Sequence, residues 1–141
     1  MVRIDVDGFG PIEVEDGTRL VRALEDGGLD MMHRCGGYAK CTTCRVAFIE
    51  GEPDRMTVAE HTRLTAKELL GQARLSCQIL CDHDMKLRQI LHFKESGLSD
   101  PGPTPEAYIT PDPPEWMDAP PDLPRNVAAM SATDGSAQAT I

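Results

Sequence analysis

Three of the chain's five cysteines, Cys35, Cys41 and Cys44, fall in one run from His33 to Val46, His-Arg-Cys-Gly-Gly-Tyr-Ala-Lys-Cys-Thr-Thr-Cys-Arg-Val. Five residues separate the first two and two separate the next pair; Cys77 follows after thirty-two more, in Arg-Leu-Ser-Cys-Gln. Thiolate sulfur is a soft ligand, and four such sulfurs suit a pair of irons bridged by sulfide, each iron taking two. A centre of this kind is anionic, and an added electron makes it more so. The surrounding loop must therefore aim backbone N–H groups at the sulfurs. Gly36 and Gly37 permit positive φ and close approach, so successive amides can form an anion-binding concavity. Thr42 and Thr43 add hydroxyl donors. The chemistry such a loop supports is one-electron transfer, at a potential set by these bonds and by burial.

Other readings of the same residues stay open at this point. Cys41-x₂-Cys44 with Cys77-x₃-Cys81 could hold a structural zinc in a non-redox interaction module. That arrangement gives Cys35 and the two glycines no role. Cys41 and Cys44 as a thioredoxin-like pair would need a helix N-terminus to depress a thiol pKa, whereas a strand follows them. A Rieske centre needs two histidines in place of two cysteines, and no Cys/His pair recurs near Cys77. His33, His61, His83 and His92 read as surface or packing residues. Cys81 reads as a small buried hydrophobe on the face of Leu75 and Ile79. No nucleophile–base pair or nucleotide-binding loop marks an enzyme in its own right, so a carrier rather than a catalyst is expected.

The elements that must hold the loop follow from periodicity. Val2 to Val6 alternates with period 2, Asp7-Gly8 is a turn signal, and Ile12 to Val14 resumes the alternation, which predicts a hairpin. Thr18 is placed to cap a short helix with Leu20, Ala23 and Leu24 on one face, closed by Gly27-Gly28. Val46 to Ile49 reads as a buried strand. Thr57-Val-Ala-Glu60 and Thr65-Ala-Lys-Glu68 are two capping boxes, predicting two short helical turns, with Leu69 and Leu70 packing under the second. Leu75 to Cys81 reads as a strand with Leu75, Cys77, Ile79 and Cys81 on one face, and Met85 to Leu91 as the last strand. The result is an α+β architecture, a mixed sheet with one main helix across it.

Composition divides the chain near Gly97. Residues 1–96 hold 13 Lys+Arg against 16 Asp+Glu; residues 97–141 hold one Arg against seven acids, with nine of the eleven prolines. We expect a domain over 1–96 and an acidic, Pro-rich tail over 97–141, extended or disordered, with residues 128–141 a small polar end. Tyr108, Ile109, Trp116 and Met117 are apolar anchors with which the tail could lie along the core or enter a partner's groove. A net charge of −9 and a pI of about 4.8 argue against nucleic acid, which needs a basic face. An odd cysteine count fits a disulfide framework poorly, and neither a secretory signal nor an apolar run long enough to span a membrane is found. A soluble protein of a reducing, cytoplasmic setting is expected.

Cys35-Gly-Gly-Tyr-Ala-Lys-Cys41-Thr-Thr-Cys44-Arg-Val, together with Arg74-Leu-Ser-Cys77-Gln, resembles a [2Fe-2S] ferredoxin. The five-residue first gap is similar to the adrenodoxin-type group; the plant type has four. Over about residues 1–93 this resemblance implies a β-grasp fold and makes Cys35, Cys41, Cys44 and Cys77 the ligands of a [2Fe-2S] cluster. It implies a soluble one-electron carrier, a monomer in transient complexes with a reductase, an oxygenase or another electron acceptor. Docking is then expected to be guided by acidic residues and to be sensitive to salt.

Overall fold

The structure is a computed structural model, and it describes residues 1–120. The polar end expected over 128–141 lies outside the described residues. The first hairpin forms as its alternation requires: β1 (Val2–Val6) runs antiparallel to β2 (Gly10–Val14), with Ile4 opposite Ile12. β1 buries Val2, Ile4 and Val6 on its inner face. Thr18 does not cap the helix that follows. Thr18–Arg19 is a two-residue strand, β3, and the Thr18 hydroxyl donates to the Glu15 carbonyl instead. Helix α1 (Leu20–Asp26) starts with no side-chain cap and buries Leu20, Val21, Ala23 and Leu24. Burial of each larger side chain stabilises the fold by roughly 1.5–3 kcal/mol, so packing rather than capping holds this helix. Gly28, at φ 112, closes it: Leu29 N–H donates to Leu24 O and Gly28 N–H to Glu25 O.

β4 (Arg45–Glu50) follows the cysteine loop, and its register slips between Phe48 and Glu50, leaving Ile49 exposed. β5 (Arg55–Thr57) leads into helix α2 (Val58–Ala66). The first capping box is present, with Thr57 Oγ1 accepting from Glu60 N–H at 3.0 Å. The second makes no helix. Glu68 takes φ 60, Leu69 N–H donates to Leu64 O and Glu68 N–H to Thr65 O. Those bonds end α2 with Leu64 and Leu69 both buried at its last turn, so one helix of nine residues replaces two turns. Among the described residues the sheet therefore carries two α-helices, α1 and α2.

The strand expected over Leu75 to Cys81 is broken in the middle. β6 (Arg74–Leu75) and β7 (Leu80–Cys81) flank a 3₁₀ turn, Ser76–Gln78, which carries Cys77. The cause is a contact distant in sequence: the Ser76 amide and hydroxyl both donate to the Cys44 carbonyl, at 3.2 and 2.7 Å, and draw the chain out of the sheet beside Cys44. β8 (Met85–Gln89) lies in the middle of a five-stranded sheet of order β2-β1-β8-β4-β6, parallel to β1 and antiparallel to β4. β3 pairs separately with β7, Thr18 opposite Cys81. The core joins Ile4, Val46 and Leu87 of the sheet to Leu20 and Leu24 of α1 and Leu64 of α2, and runs on to Cys44, Cys77 and Cys81.

The described part of the tail, residues 97–120, lies against this body. His33 N–H donates to Pro101 O, Val58 N–H to Glu115 O and Ala119 N–H to Asp54 O. β9 (Trp116–Asp118) pairs antiparallel with β5. Ile109 is buried as an anchor, whereas Tyr108 is more than half exposed and Trp116 partly so.

Candidate metal centre

The loop between α1 and β4 has no regular structure, and its shape comes from a succession of positive φ values: Gly36 at 76, Gly37 at 92, Ala39 at 60 and Thr42 at 57 degrees. This winding turns amides inward. Tyr38 N–H and Lys40 N–H point at Cys35 Sγ, at 3.2 and 3.4 Å, and Cys35 N–H points at Cys41 Sγ at 3.3 Å. The loop is thus an anion-binding nest built around sulfur. Thr43 behaves as its position implied, its hydroxyl 3.0 Å from Cys41 Sγ while accepting from Arg34 N–H. Thr42 does not: its hydroxyl donates to the Cys41 carbonyl and accepts from Arg45 Nη2.

The four thiols fall into two neighbouring pairs. Cys35 and Cys41 act on each other's titration, and so do Cys44 and Cys77. Within the first pair the Cys41 thiol, reinforced by the inward amides, pushes Cys35 down, and the Cys35 thiol with burial pushes Cys41 up. Within the second, the Cys77 thiol lowers Cys44, while the Cys44 thiol and burial raise Cys77. Cys44 and Cys77 are buried; Cys35 and Cys41 are partly open to solvent. Two adjacent thiol pairs with amides aimed at sulfur are the donor set that two bridged irons require. Among the described residues, no three His, Cys, Asp or Glu side chains are grouped to hold a single metal ion. Cys81 stands apart, fully buried in β7 opposite Thr18. Burial, with Asp82 and Asp16 nearby, pushes its thiol up to about 12.

Several residues that complete this region carry little sequence signal. Arg19 is wholly buried and donates to the Cys77 carbonyl from Nε at 2.7 Å and to the Gly37 carbonyl from Nη2 at 2.6 Å. Burial lowers its pKa, and the Cys77 and Cys44 sulfurs act against that fall. Gln78 donates to Thr110 O at 2.7 Å and approaches Cys77 Sγ at 3.6 Å, and accepts from the Thr57 hydroxyl. Buried Arg74 ties β6 to α2 through Glu60, whose carboxylate also accepts from Leu75 N–H. Burial acts to lower the Arg74 pKa, but Glu60 and then Glu52 raise it overall. His33 is buried with Nε2 against the Glu25 carboxylate, a packing role as expected. A polar residue in an apolar pattern carries no label of its partner, which is why the pattern alone does not single out Arg19 or Gln78.

A mixed sheet with two helices, a glycine-wound cysteine loop and a fourth cysteine on a turn define an iron–sulfur protein of the ferredoxin, or β-grasp, fold. The family described as "2Fe-2S iron-sulfur cluster binding domain" matches residues 4–82, and the chain belongs to it. Its cofactor is a [2Fe-2S] cluster. Over 86 residues the chain is 34% identical to a subunit of the Na(+)-translocating NADH-quinone reductase of Methylococcus capsulatus, covering 61% of this chain and 21% of that protein. The corresponding protein of Idiomarina loihiensis gives the same identity and coverage. The chain thus spans about a fifth of the length of these curated relatives. Among solved structures it resembles the ISC-like [2Fe-2S] ferredoxin FdxB of Pseudomonas putida, at 26% identity and a TM-score of 0.52, covering 64% of this chain and 93% of that one. It is similar too to the Amycolatopsis cytochrome P450 reductase GcoB, with 26% identity and a TM-score of 0.51, over 64% of this chain and 26% of that one. Among the described residues no helix is long and apolar enough to cross a membrane.

Proposed function

We propose that the protein is a soluble, cytoplasmic one-electron carrier that shuttles electrons between redox enzymes, with Cys35, Cys41, Cys44 and Cys77 as the ligands of its cluster. The observation that carries this reading is the wound cysteine loop, whose amides point at the sulfurs of Cys35 and Cys41, with the Cys77 turn held beside Cys44 by the Ser76 hydroxyl. Cys35 and Cys41 would hold the outer iron and Cys44 and Cys77 the inner one. When bound, the cluster supplies a site that gains and loses one electron without bond changes in a substrate. The chain's own residues fix the sulfurs, exclude water from the inner pair and leave the outer pair near the surface. Electrons would pass on the Cys35–Cys41 side, where tunnelling distance to a partner is least.

The resemblance to a ferredoxin covered over 93% of its length supports a free carrier. The relatives of which this chain matches a fifth favour a second reading, an electron-entry module of a larger reductase. A purified electron donor and acceptor separate the two. A free carrier transfers electrons catalytically between separate enzymes at substoichiometric amounts, and failure to do so with any donor–acceptor pair favours the module. Docking is expected to depend on salt, and its charges are mixed. The exposed charges of the loop are Arg34 and Lys40, with no acid from Met31 to Ile49, while the tail brings exposed Asp100 and Glu106 beside it. The direct test is composition: the purified protein should be red-brown, hold iron and sulfide in equal amounts and give a rhombic EPR signal when reduced. A colourless protein with one zinc per chain would overturn the reading.

A further inference from the structure

Among the described residues, the buried Arg19 has no carboxylate as a hydrogen-bond partner. Nε donates to Cys77 O (2.7 Å), Nη2 to Gly37 O (2.6 Å) and Thr110 Oγ1 (3.2 Å), and Nη1 to Glu106 O and Tyr108 O (both 2.9 Å). All are neutral oxygens, and they lie on three separate stretches: the cysteine loop, the Cys77 turn and the tail. Thr110 and Gln78 bind the same hub, each donating to the Gly37 carbonyl, at 2.9 and 3.3 Å. A guanidinium removed from water costs several kcal/mol unless a negative charge lies close by. Here the acidic groups acting on it are the thiols of Cys77, Cys44 and Cys35, and its Nε and Nη2 hold the Cys77 and Gly37 carbonyls beside them. Arg19 is therefore placed as the counter-charge of the centre and as the clasp that holds the tail to it.

We propose that Arg19 is a positioning residue of the redox centre: it joins residues 106–110 of the tail to the cysteine loop, and its fixed positive charge favours the reduced state. The proposal rests on the four-cysteine assignment made above. One electron from an external one-electron donor adds one negative charge to the centre, with no proton taken up and no bond formed. A fixed cation beside the sulfurs stabilises the product of that step more than its starting state. Lysine would keep the charge but not the planar fork that reaches three stretches at once.

The test uses the full-length holoprotein and its variants R19Q, R19K and T110V, each first checked for iron, sulfide and visible spectrum. Potentials come from dithionite titration with mediator dyes, and amide hydrogen exchange reports on residues 106–110. At a fixed applied potential, R19Q should hold a reduced-to-oxidised ratio roughly tenfold below that of the parent, which is 59 mV for a one-electron couple. R19K should stay within about threefold of the parent, while exchange at 106–110 quickens in R19Q, R19K and T110V. A loaded R19Q at the parental potential overturns the charge role, and parental exchange in all three variants overturns the clasp. If R19Q does not retain its cluster, R19K decides: a tenfold fall there removes the charge role, and retention of the potential supports it. A parent protein without iron and sulfide sinks the ligand assignment instead, a result that none of these outcomes resembles.

Discussion

Glu60 offers the sharpest test of how the fold delivers Cys77 to the loop. Its carboxylate is fully buried, accepts from Arg74 Nε at 2.7 Å and Nη2 at 3.3 Å, and accepts from Leu75 N–H at 2.8 Å. Leu75 is two residues before Cys77, so this one side chain fixes the entry to the turn. Glu60→Ala removes the anion and strands a buried guanidinium, a change that typically costs 3–5 kcal/mol. Arg74 would keep Glu52 at 3.2 Å and the carbonyls of Pro53 and Arg55. The lower end, about 3 kcal/mol, therefore applies. At roughly 4 °C per kcal/mol for a domain of this size, the thermal midpoint should fall by about 12 °C. Glu60→Gln keeps an acceptor for the Leu75 amide and should cost less. The assay is thermal unfolding of the holoprotein, followed at once by far-UV circular dichroism and visible absorption. A midpoint within about 2 °C of the parent for Glu60→Ala would refute the claim that this pair holds the turn.

Further outcomes follow from the same geometry. Serine in place of Cys35, Cys41, Cys44 or Cys77 should abolish the visible spectrum and the bound iron, whereas Cys81→Ala should retain both; iron analysis checks this, and loss of iron in Cys81→Ala would return Cys81 to the ligand set. Thr43→Val removes the hydroxyl beside Cys41 Sγ and should lower the potential by about 40 mV, the equivalent of roughly 1 kcal/mol for one electron. Gly37→Ala would bring a methyl to 2.6 Å from Arg19 Nη2 at a φ of 92 degrees, so holoprotein yield should fall several-fold, measured as the ratio of visible to protein absorbance. The Cys81 thiol is raised to about 12 in the folded chain from an ordinary value near 9. A raised thiol pKa stabilises the fold fully below the unfolded value and loses that contribution as pH climbs from about 9 to 12. Unfolding midpoints of the parent against Cys81→Ala should therefore converge over that window and run parallel below it.

The hairpin is legible in the sequence because β1 and β2 keep strict alternation around an Asp-Gly turn, and the loop because its cysteines and glycines leave few alternatives. The first capping box is legible for the same local reason: the Thr57 hydroxyl meets the Glu60 amide without help from elsewhere. The second is not, since Thr65 and Glu68 carry the same letters but Glu68 takes a left-handed conformation once Leu69 reaches back to Leu64. Leu75 to Cys81 reads as one strand because Leu75, Cys77, Ile79 and Cys81 recur at every second position, as on one strand face. Only the Ser76 bonds to Cys44, thirty-two residues earlier, bend it. Arg19 and Thr110 are ninety-one residues apart, and nothing in either neighbourhood announces the other. The apolar anchor at Ile109 is visible in the letters; which surface it meets is not.

The sheet is completed out of order. β8 lies between β1 and β4, so the central rib of the molecule is almost the last part of the domain to leave the ribosome. Until residues 85–89 arrive, the first hairpin and β4 have no strand between them to bond, and the cysteine-bearing segments lack a finished wall. The four cysteines proposed as ligands, Cys35, Cys41, Cys44 and Cys77, are thus made before the scaffold can close behind them. A pause in synthesis just after Cys81 would leave those thiols without the wall that β8 completes.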